Sequence, residues 1–234
     1  GGFNALRNAQ VEPMNVSACL VTRGDLDMQP VIDSLPSSWE IVIWDNSGKI
    51  LMRPGSDDGD PRAMQRLWGV TAADLSVYGR YAAIEYATHD LIYVQDDDVI
   101  VSDPQAIVDA FPKVYDGITD QMRWPRPEDL AIRSPVVANM PQEFRHDGYT
   151  DSCLVGFGAY FHRDAPKRAW DRMYPSGFTK TDPWFNRTCD VVFTTLTPRA
   201  LVDIPKTDRE MASDSNRMWK QPGHLDERTR MLNL

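Results

Sequence analysis

Short apolar runs alternate with amphipathic stretches along this chain, and turn-forming residues separate the two. Residues 16–22, 40–44 and 91–94 are apolar runs with the length expected of buried β-strands. Residues 76–88 place apolar side chains at helical spacing, which predicts an amphipathic helix before the third of these strands. Strands that alternate with helices are typical of an α/β fold with a mostly parallel sheet.

The rest of the chain continues this alternation as far as residue 205. Further helices are predicted over residues 30–35, 60–69, 103–115, 164–174 and 182–196, and further strands over 132–138, 154–161 and 200–204. The second of these helices starts at Asp60-Pro61, a cap followed by a proline at the first helical position, and Gly69 ends it. The prediction is one α/β domain over residues 14–205, between an N-terminal tail (1–13) and a polar tail (206–234) that lies over the domain.

Composition limits the classes of protein that fit. The chain has 234 residues, of which 42% are hydrophobic, and this is enough for one domain with a large core. Its net charge of −9 weighs against a general nucleic-acid binder, which usually carries a basic excess. No apolar run reaches the roughly 18 residues of a membrane-spanning helix, so no membrane insertion is expected. Cys19, Cys153 and Cys189 follow neither a disulfide nor a zinc pattern, which favours reduced cysteines in a cytoplasmic protein.

The strongest chemical signal is a run of three acids, Asp96, Asp97 and Asp98, directly after the strand 91–94. Adjacent carboxylates repel one another, and a bound cation removes that penalty. In an extended segment the side chains at i and i+2 point the same way, so Asp96 and Asp98 can face one ion while Asp97 turns elsewhere. Carboxylate oxygens suit Mg²⁺ or Mn²⁺, which take one or two of them together with substrate phosphates. The alternative is a solvated acidic turn.

The run from Gln95 to Asp98, placed after an apolar strand, resembles the DxD motif of the GT-A glycosyltransferases, which use nucleotide-sugar donors and a divalent metal. The helix before it, YGRYAAIEYA at residues 78–87, is similar to the helix that precedes the DxD strand in the large inverting GT-A families and in exostosin-like enzymes. The resemblance covers roughly residues 14–225, although 116–150 match only loosely. It implies a GT-A fold in which Arg80 lies close to the donor; the alternative is a surface arginine on an amphipathic helix.

Two acids compete for the role of catalytic base that the resemblance implies. Thr188-Cys189-Asp190 is similar to the xED motif, whose acid is the base in inverting members, although Cys189 stands where that motif has glutamate. Asp182 is the rival, and its place before Pro183 is equally explained as a helix cap. Asp190 is therefore the preferred base of an inverting enzyme. The alternative is a retaining enzyme, in which a phosphate oxygen takes that role.

The resemblance also implies contacts to the donor and the metal. Gly156 and Gly158 match the segment that passes beside the donor sugar, because glycine lets backbone approach a ligand closely; a β-bulge is the alternative. His224 matches the C-terminal histidine that completes the metal shell, with a solvated tail histidine as the alternative. The remaining residues expected at the nucleotide-sugar are Thr22, Arg23, Asp45, Asp97, Arg217 and Lys220.

These expectations add up to a hexosyltransferase-like enzyme that transfers a sugar from a nucleoside diphosphate, with UDP preferred. Small bacterial and phage transferases are similar in size, and the acceptor classes are a saccharide, a protein or a hydroxymethylated DNA base. One alternative is a nucleotidyltransferase, which shares this kind of sheet. The other is a non-catalytic carbohydrate-binding or virion domain that holds a structural Ca²⁺. The oligomeric state is left open.

Overall fold

The computed structural model describes residues 16–48, 67–71, 73–111, 135–145, 153–174, 183–209 and 222–232. Its strands are β1 (Val16–Thr22), β2 (Glu40–Asp45), β3 (Leu67–Thr71), β4 (Leu91–Val94), β5 (Val99–Val101), β6 (Val136–Asn139), β7 (Ala159–His162), β8 (Arg199–Val202) and β9 (Lys206–Asp208). Its α-helices are α1 (Gln29–Ser34), α2 (Gly79–Ala82), α3 (104–111), α4 (Ala165–Met173), α5 (Pro183–Leu196) and α6 (His224–Leu232). Short 3-10 helices lie at Ser76–Tyr78, Ala83–Tyr86 and Gln142–Phe144.

One seven-stranded sheet organises the molecule, in the order β3-β2-β1-β4-β7-β6-β8, and β5 pairs with β9 in a separate ribbon. Neighbouring strands in the sheet are parallel except beside β7, which is antiparallel to β4 and β6. The expected mostly parallel sheet is therefore confirmed. From β1 the chain moves outward to β2 and β3 and then returns to place β4 on the other side of β1. Such a reversal opens a crevice at the carboxyl ends of the two strands, here β1 and β4.

The central strands are apolar on both faces, and helices cover both. In β1, Ala18 and Leu20 belong to one apolar cluster, whereas Cys19 and Val21 belong to another on the opposite face. This follows from the two-residue period of a strand, and it explains why the strand is a continuous apolar run. The first cluster includes side chains of α1 and α3, and the second includes side chains of residues 76–86, α4 and α5.

Three predicted elements differ from the structure. The helix predicted to end at Gly69 is wrong in its described part, because residues 67–71 form β3 alongside β2, while Asp60-Pro61 lies outside the described residues. The helix predicted over 76–88 ends at Tyr86 and consists of α2 between two 3-10 turns. The strand predicted over 154–161 begins only at Ala159, because Gly158 adopts a left-handed φ of 101° and its N–H closes a turn onto the carbonyl of Val155.

The C-terminal residues add elements of their own. Strand β9 pairs with β5 immediately after the acidic triplet. Arg187 of α5 makes a two-pronged ion pair with Glu227 of α6, with N···O distances of 3.0 and 2.6 Å. In the part of the chain described above, no helix is both long and apolar enough to cross a membrane.

Candidate active site

The acidic triplet lies in a short loop at the carboxyl end of β4. Gln95, which is fully buried, accepts a hydrogen bond from the Tyr93 hydroxyl at 2.8 Å and donates one to the carbonyl of Val99 at 2.9 Å. These two bonds close the loop between β4 and β5. Within it, Asp97 and Asp98 form a turn, so the extended geometry predicted for the triplet is wrong.

Asp97 joins the ends of β1 and β4 across the crevice. The hydroxyl of Thr22, the last residue of β1, donates to Asp97 Oδ2 at 2.8 Å, and the backbone N–H of Arg23 also donates to this carboxylate. Burial raises the pKa of Asp97, the bond from Thr22 opposes that rise, and the nearby charges of Asp96 and Asp25 add to it. A half-buried carboxylate held by two donors fixes the loop at the point where a ligand of this sheet would bind.

Asp96 is held from two sides. The Arg80 Nη2 atom donates to Asp96 Oδ1 at 2.5 Å, and the Asp96 N–H donates to the carbonyl of Gly156 at 2.9 Å. A Cβ at position 156 would lie 2.1 Å from Asp96 Oδ2, so only glycine leaves room for this carboxylate. The glycine segment thus passes close to Asp96, and its place beside a donor sugar stays a prediction.

Arg80 lies beneath the triplet. It is only 1% exposed, its Nε donates to the carbonyl of Val77 at 3.3 Å, and its Nη1 has no hydrogen-bond partner among the described residues. Burial lowers the pKa of Arg80, but the charges of Asp96 and Asp190 more than offset this and raise it. The alternative of an exposed arginine on the helix surface is therefore wrong, and Arg80 is a buried cation between two acids.

Asp190 lies on α5 and is 8% exposed. The hydroxyl of Tyr81, the residue after Arg80, donates to Asp190 Oδ1 at 2.5 Å. Burial and the charge of Asp190 raise the pKa of Tyr81 well above its usual value, so the tyrosine stays a protonated donor. Arg80 thus holds Asp96, the predicted metal ligand, and the next residue, Tyr81, holds Asp190, the predicted base.

His224 begins α6 and is 7% exposed. Its pKa is lowered by burial and by the charges of Arg228 and Arg187, while Glu227 and Asp190 oppose this. A neutral imidazole is the form that binds metals. Even so, within the described ranges no three or more His, Cys, Asp or Glu side chains are grouped to hold a metal ion by themselves. Asp190 is thus among the acids whose charge acts on His224, and metal ligation by His224 stays a prediction.

The loop after β2 is built as a turn. Asp45, which is 2% exposed, accepts hydrogen bonds on Oδ1 from the N–H and the hydroxyl of Ser47, at 2.8 and 2.6 Å. Such contacts from an aspartate to the second residue after it are typical of a turn. Arg23 pairs with Asp25 at 2.8 Å on the surface beside it. Asp182, Arg217 and Lys220 lie outside the described residues.

Residues that the sequence did not single out also build the site. Arg209, just after β9, donates from Nη1 to the carbonyl of Asp97 and from its N–H to the carbonyl of Asp98, both at 2.8 Å. Asn139 of β6, fully buried, donates to the carbonyls of Phe157 and Ile204 and accepts from the N–H of Ile204. The contacts of Arg209 and of Asn139 join segments that are far apart in sequence, so no local sequence pattern predicts them.

Comparisons with known proteins agree with this fold. No protein-family model and no curated protein matches the sequence. Among solved structures, the mannosyltransferase PcManGT from Pyrobaculum calidifontis, in complex with GDP-Man and Mn²⁺, has a TM-score of 0.50 at 14% identity, over 94% of this chain and 64% of that chain. S. aureus TarS 1-349 in complex with UDP-GlcNAc has a TM-score of 0.47 at 9% identity, over 86% of this chain and 60% of that chain. A 2-C-methyl-D-erythritol 4-phosphate cytidylyltransferase from Thermus thermophilus has a TM-score of 0.41 at 12% identity, over 95% of this chain and all of that one (100%).

These likenesses show a fold and not an activity. The fold is the GT-A arrangement, a mixed α/β domain whose mostly parallel, Rossmann-like sheet is flanked by helices. The chain spans 60% of the length of the TarS chain and 64% of the length of the PcManGT chain.

Proposed function

We propose that this protein is a metal-dependent glycosyltransferase that moves a sugar from a nucleoside diphosphate, preferably UDP, to an acceptor hydroxyl. The observation that carries the proposal is the place of the acidic triplet. It lies in the crevice between the carboxyl ends of β1 and β4, where Thr22 holds Asp97 and Arg80 holds Asp96. Open α/β sheets bind nucleotides in such crevices.

The donor atoms at this edge fit a hard divalent cation. Asp96 and Asp98 offer carboxylate oxygens, and Mg²⁺ or Mn²⁺ commonly takes one or two of these and completes its shell with water and substrate phosphates. A site that shares its metal with a diphosphate therefore needs no cluster of three protein ligands. When bound, the metal would stabilise the charge on the departing nucleoside diphosphate. PcManGT, which shares the fold, was solved with GDP-Man and Mn²⁺. His224 stays a predicted further ligand.

The remaining residues are assigned to the donor and the acceptor. Thr22, Arg23 and Asp45, at the ends of β1 and β2, would border the base and ribose, and Asp97 would keep the two loops in place. Gly156 and Gly158 would border the donor sugar. Arg217 and Lys220 are proposed to neutralise the diphosphate.

Asp190 is the proposed general base, with Asp182 as the rival. A carboxylate can accept the proton of the acceptor hydroxyl as that oxygen attacks the anomeric carbon. The charge of Asp190 acts on Arg80, the residue that also binds Asp96 of the triplet. The acceptor hydroxyl would belong to a saccharide, a protein or a hydroxymethylated DNA base.

A nucleotidyltransferase is the second candidate, because enzymes of that class share this kind of sheet. Such enzymes usually bind phosphates in a glycine-rich, basic loop after the first strand. The corresponding stretch here, residues 22–27, has one glycine and two acids, Asp25 and Asp27, which disfavours a triphosphate.

A screen of nucleotide sugars tests the proposal. The purified protein is incubated with each donor and Mn²⁺, Mg²⁺ or EDTA, and release of nucleoside diphosphate is measured. We expect metal-dependent hydrolysis of one donor class, abolished in Asp98→Asn and kept in the control Asp171→Asn, which changes an exposed acid on α4.

Each competing function predicts a different result in this assay. Release of pyrophosphate from a nucleoside triphosphate would indicate a nucleotidyltransferase. Ca²⁺ binding without any nucleotide binding, measured by calorimetry with UDP, GDP and CDP, would indicate a structural metal domain. Either outcome contradicts the proposed glycosyl transfer.

A further inference from the structure

We propose that Arg80 and Tyr81, neighbours on α2, are positioning residues with separate roles: Arg80 orients Asp96 for donor binding, and Tyr81 orients Asp190 for proton transfer. The inference rests on the proposed function and deepens it. One short helix, α2, would then orient both the carboxylate at the donor, Asp96, and the carboxylate at the acceptor, Asp190.

Tyr81 is well placed to hold Asp190 in one orientation. Its hydroxyl reaches Asp190 Oδ1 at 2.5 Å, and both residues are buried. Its ring is fixed between Trp170 and Phe193, at centroid distances of 5.0 and 5.9 Å with nearly perpendicular planes. The bond occupies Oδ1, so we assign Oδ2 as the oxygen that receives the acceptor's proton.

Arg80 is well placed to hold Asp96. Its guanidinium is buried, with Nε on the carbonyl of Val77 and Nη2 on Asp96 Oδ1. A planar group held at two of its nitrogens fixes the carboxylate in direction as well as in distance. The other carboxylate oxygen, Oδ2, lies against Gly156, and the Asp96 N–H is bonded to the carbonyl of that glycine, so both ends of Asp96 are held.

The two hydrogen bonds reach different elements although the residues are adjacent. Arg80 acts on the loop after β4, whereas Tyr81 acts on α5. If one contact serves donor binding and the other serves proton transfer, a substitution of Arg80 changes donor affinity and a substitution of Tyr81 changes turnover. A merely structural role for α2 would change affinity, turnover and stability together.

The variants that test this are Tyr81→Phe and Arg80→Lys, with Tyr160→Phe as the matched control. Tyr160 is also buried, but its hydroxyl has no hydrogen-bond partner among the described residues. The dissociation constant of UDP with Mn²⁺ is measured by calorimetry. The kcat and the KM for the hydrolysed donor are measured by diphosphate release, and thermal unfolding reports stability.

We expect Tyr81→Phe to lower kcat roughly 10- to 100-fold, since it removes one hydrogen bond to a carboxylate, with no change in the nucleotide's dissociation constant. Arg80→Lys should raise that dissociation constant roughly 10-fold, because an ammonium cannot reproduce the guanidinium geometry. The control Tyr160→Phe should match the wild type in both.

A second comparison ties Tyr81 to Asp190. If Tyr81 acts through this acid, adding Tyr81→Phe to Asp190→Asn should lower kcat no further. Additive losses would overturn the proposal, as would a Tyr81→Phe variant whose turnover is normal or whose affinity falls in step with turnover. A wild-type protein that binds no nucleotide would instead refute the proposed function, so the two failures are distinguishable.

Discussion

The substitution Gly156→Ala tests whether the glycine segment shapes the acidic site. The backbone of Gly156 is not in the left-handed region, unlike that of Gly158, so an alanine is not excluded by its φ angle. The new Cβ would instead lie 2.1 Å from Asp96 Oδ2 and 2.6 Å from its Cγ. Any effect of the methyl group therefore comes from its contact with Asp96.

The size of the effect follows from the distances. Ordinary van der Waals contact begins at 3.4 Å, so the carboxylate oxygen would have to move by 3.4 − 2.1 = 1.3 Å. That movement breaks the 2.5 Å bond to Arg80 and leaves a buried guanidinium without its partner. Because the Asp96 side chain is 38% exposed, water compensates part of the loss. We expect a destabilisation of about 1–3 kcal/mol, or a fall in Tm of roughly 2–12 °C.

Urea and thermal unfolding measure this loss, and a double-mutant cycle identifies its cause. In the background of Asp96→Ala there is no carboxylate to displace, so adding Gly156→Ala should cost little further free energy of unfolding. Calorimetry with UDP and Mn²⁺ should show weakened binding for the single variant. An equal cost of Gly156→Ala in both backgrounds, or no cost in either, would refute the reasoning.

Three further substitutions have defined outcomes. Asn139→Ala should lower the free energy of unfolding by about 2–4 kcal/mol in urea, because it removes three hydrogen bonds to half-buried backbone groups of Phe157 and Ile204; wild-type stability would contradict this. Asp190→Asn should slow sugar transfer roughly 10²- to 10⁴-fold and leave calorimetric donor binding unchanged, whereas normal turnover would place the base elsewhere. Folding raises the pKa of Asp97, and the ionised form of such an aspartate destabilises the folded state. The bond from Thr22 stabilises that ionised form, and Thr22→Val removes it. The Thr22→Val variant should therefore lose more free energy of unfolding at neutral pH than at acidic pH. An equal loss at both pH values would contradict the stabilisation of ionised Asp97 by Thr22.

The elements that could be predicted from sequence are those whose signal is local. The strands β1 and β4 are continuous apolar runs buried on both faces, and they lie where the pattern placed them. The local pattern around β3 predicts the end of a helix because of Gly69, and only pairing with β2 identifies a strand. The ribbon of β5 and β9 was not predicted, since each strand has only three residues.

The residues of the candidate site likewise differ in whether a local sequence pattern predicts them. The acidic triplet and its strand are contiguous, so the sequence located them. The bond from Tyr81 to Asp190 joins residues 109 positions apart, and the clamp from Arg209 to Asp97 joins residues 112 apart. Contacts of this kind depend on the sheet order, which determines which loops share an edge, and no periodicity along the chain encodes them.

The most direct test of the account is a crystal of the protein grown with Mn²⁺ and UDP, with anomalous data collected at the manganese edge. We predict an anomalous peak within coordination distance of the Asp98 carboxylate that also contacts the diphosphate, in the crevice between β1 and β4. Nucleotide bound in that crevice with no manganese beside Asp98, or manganese bound at another place, would contradict the central claim.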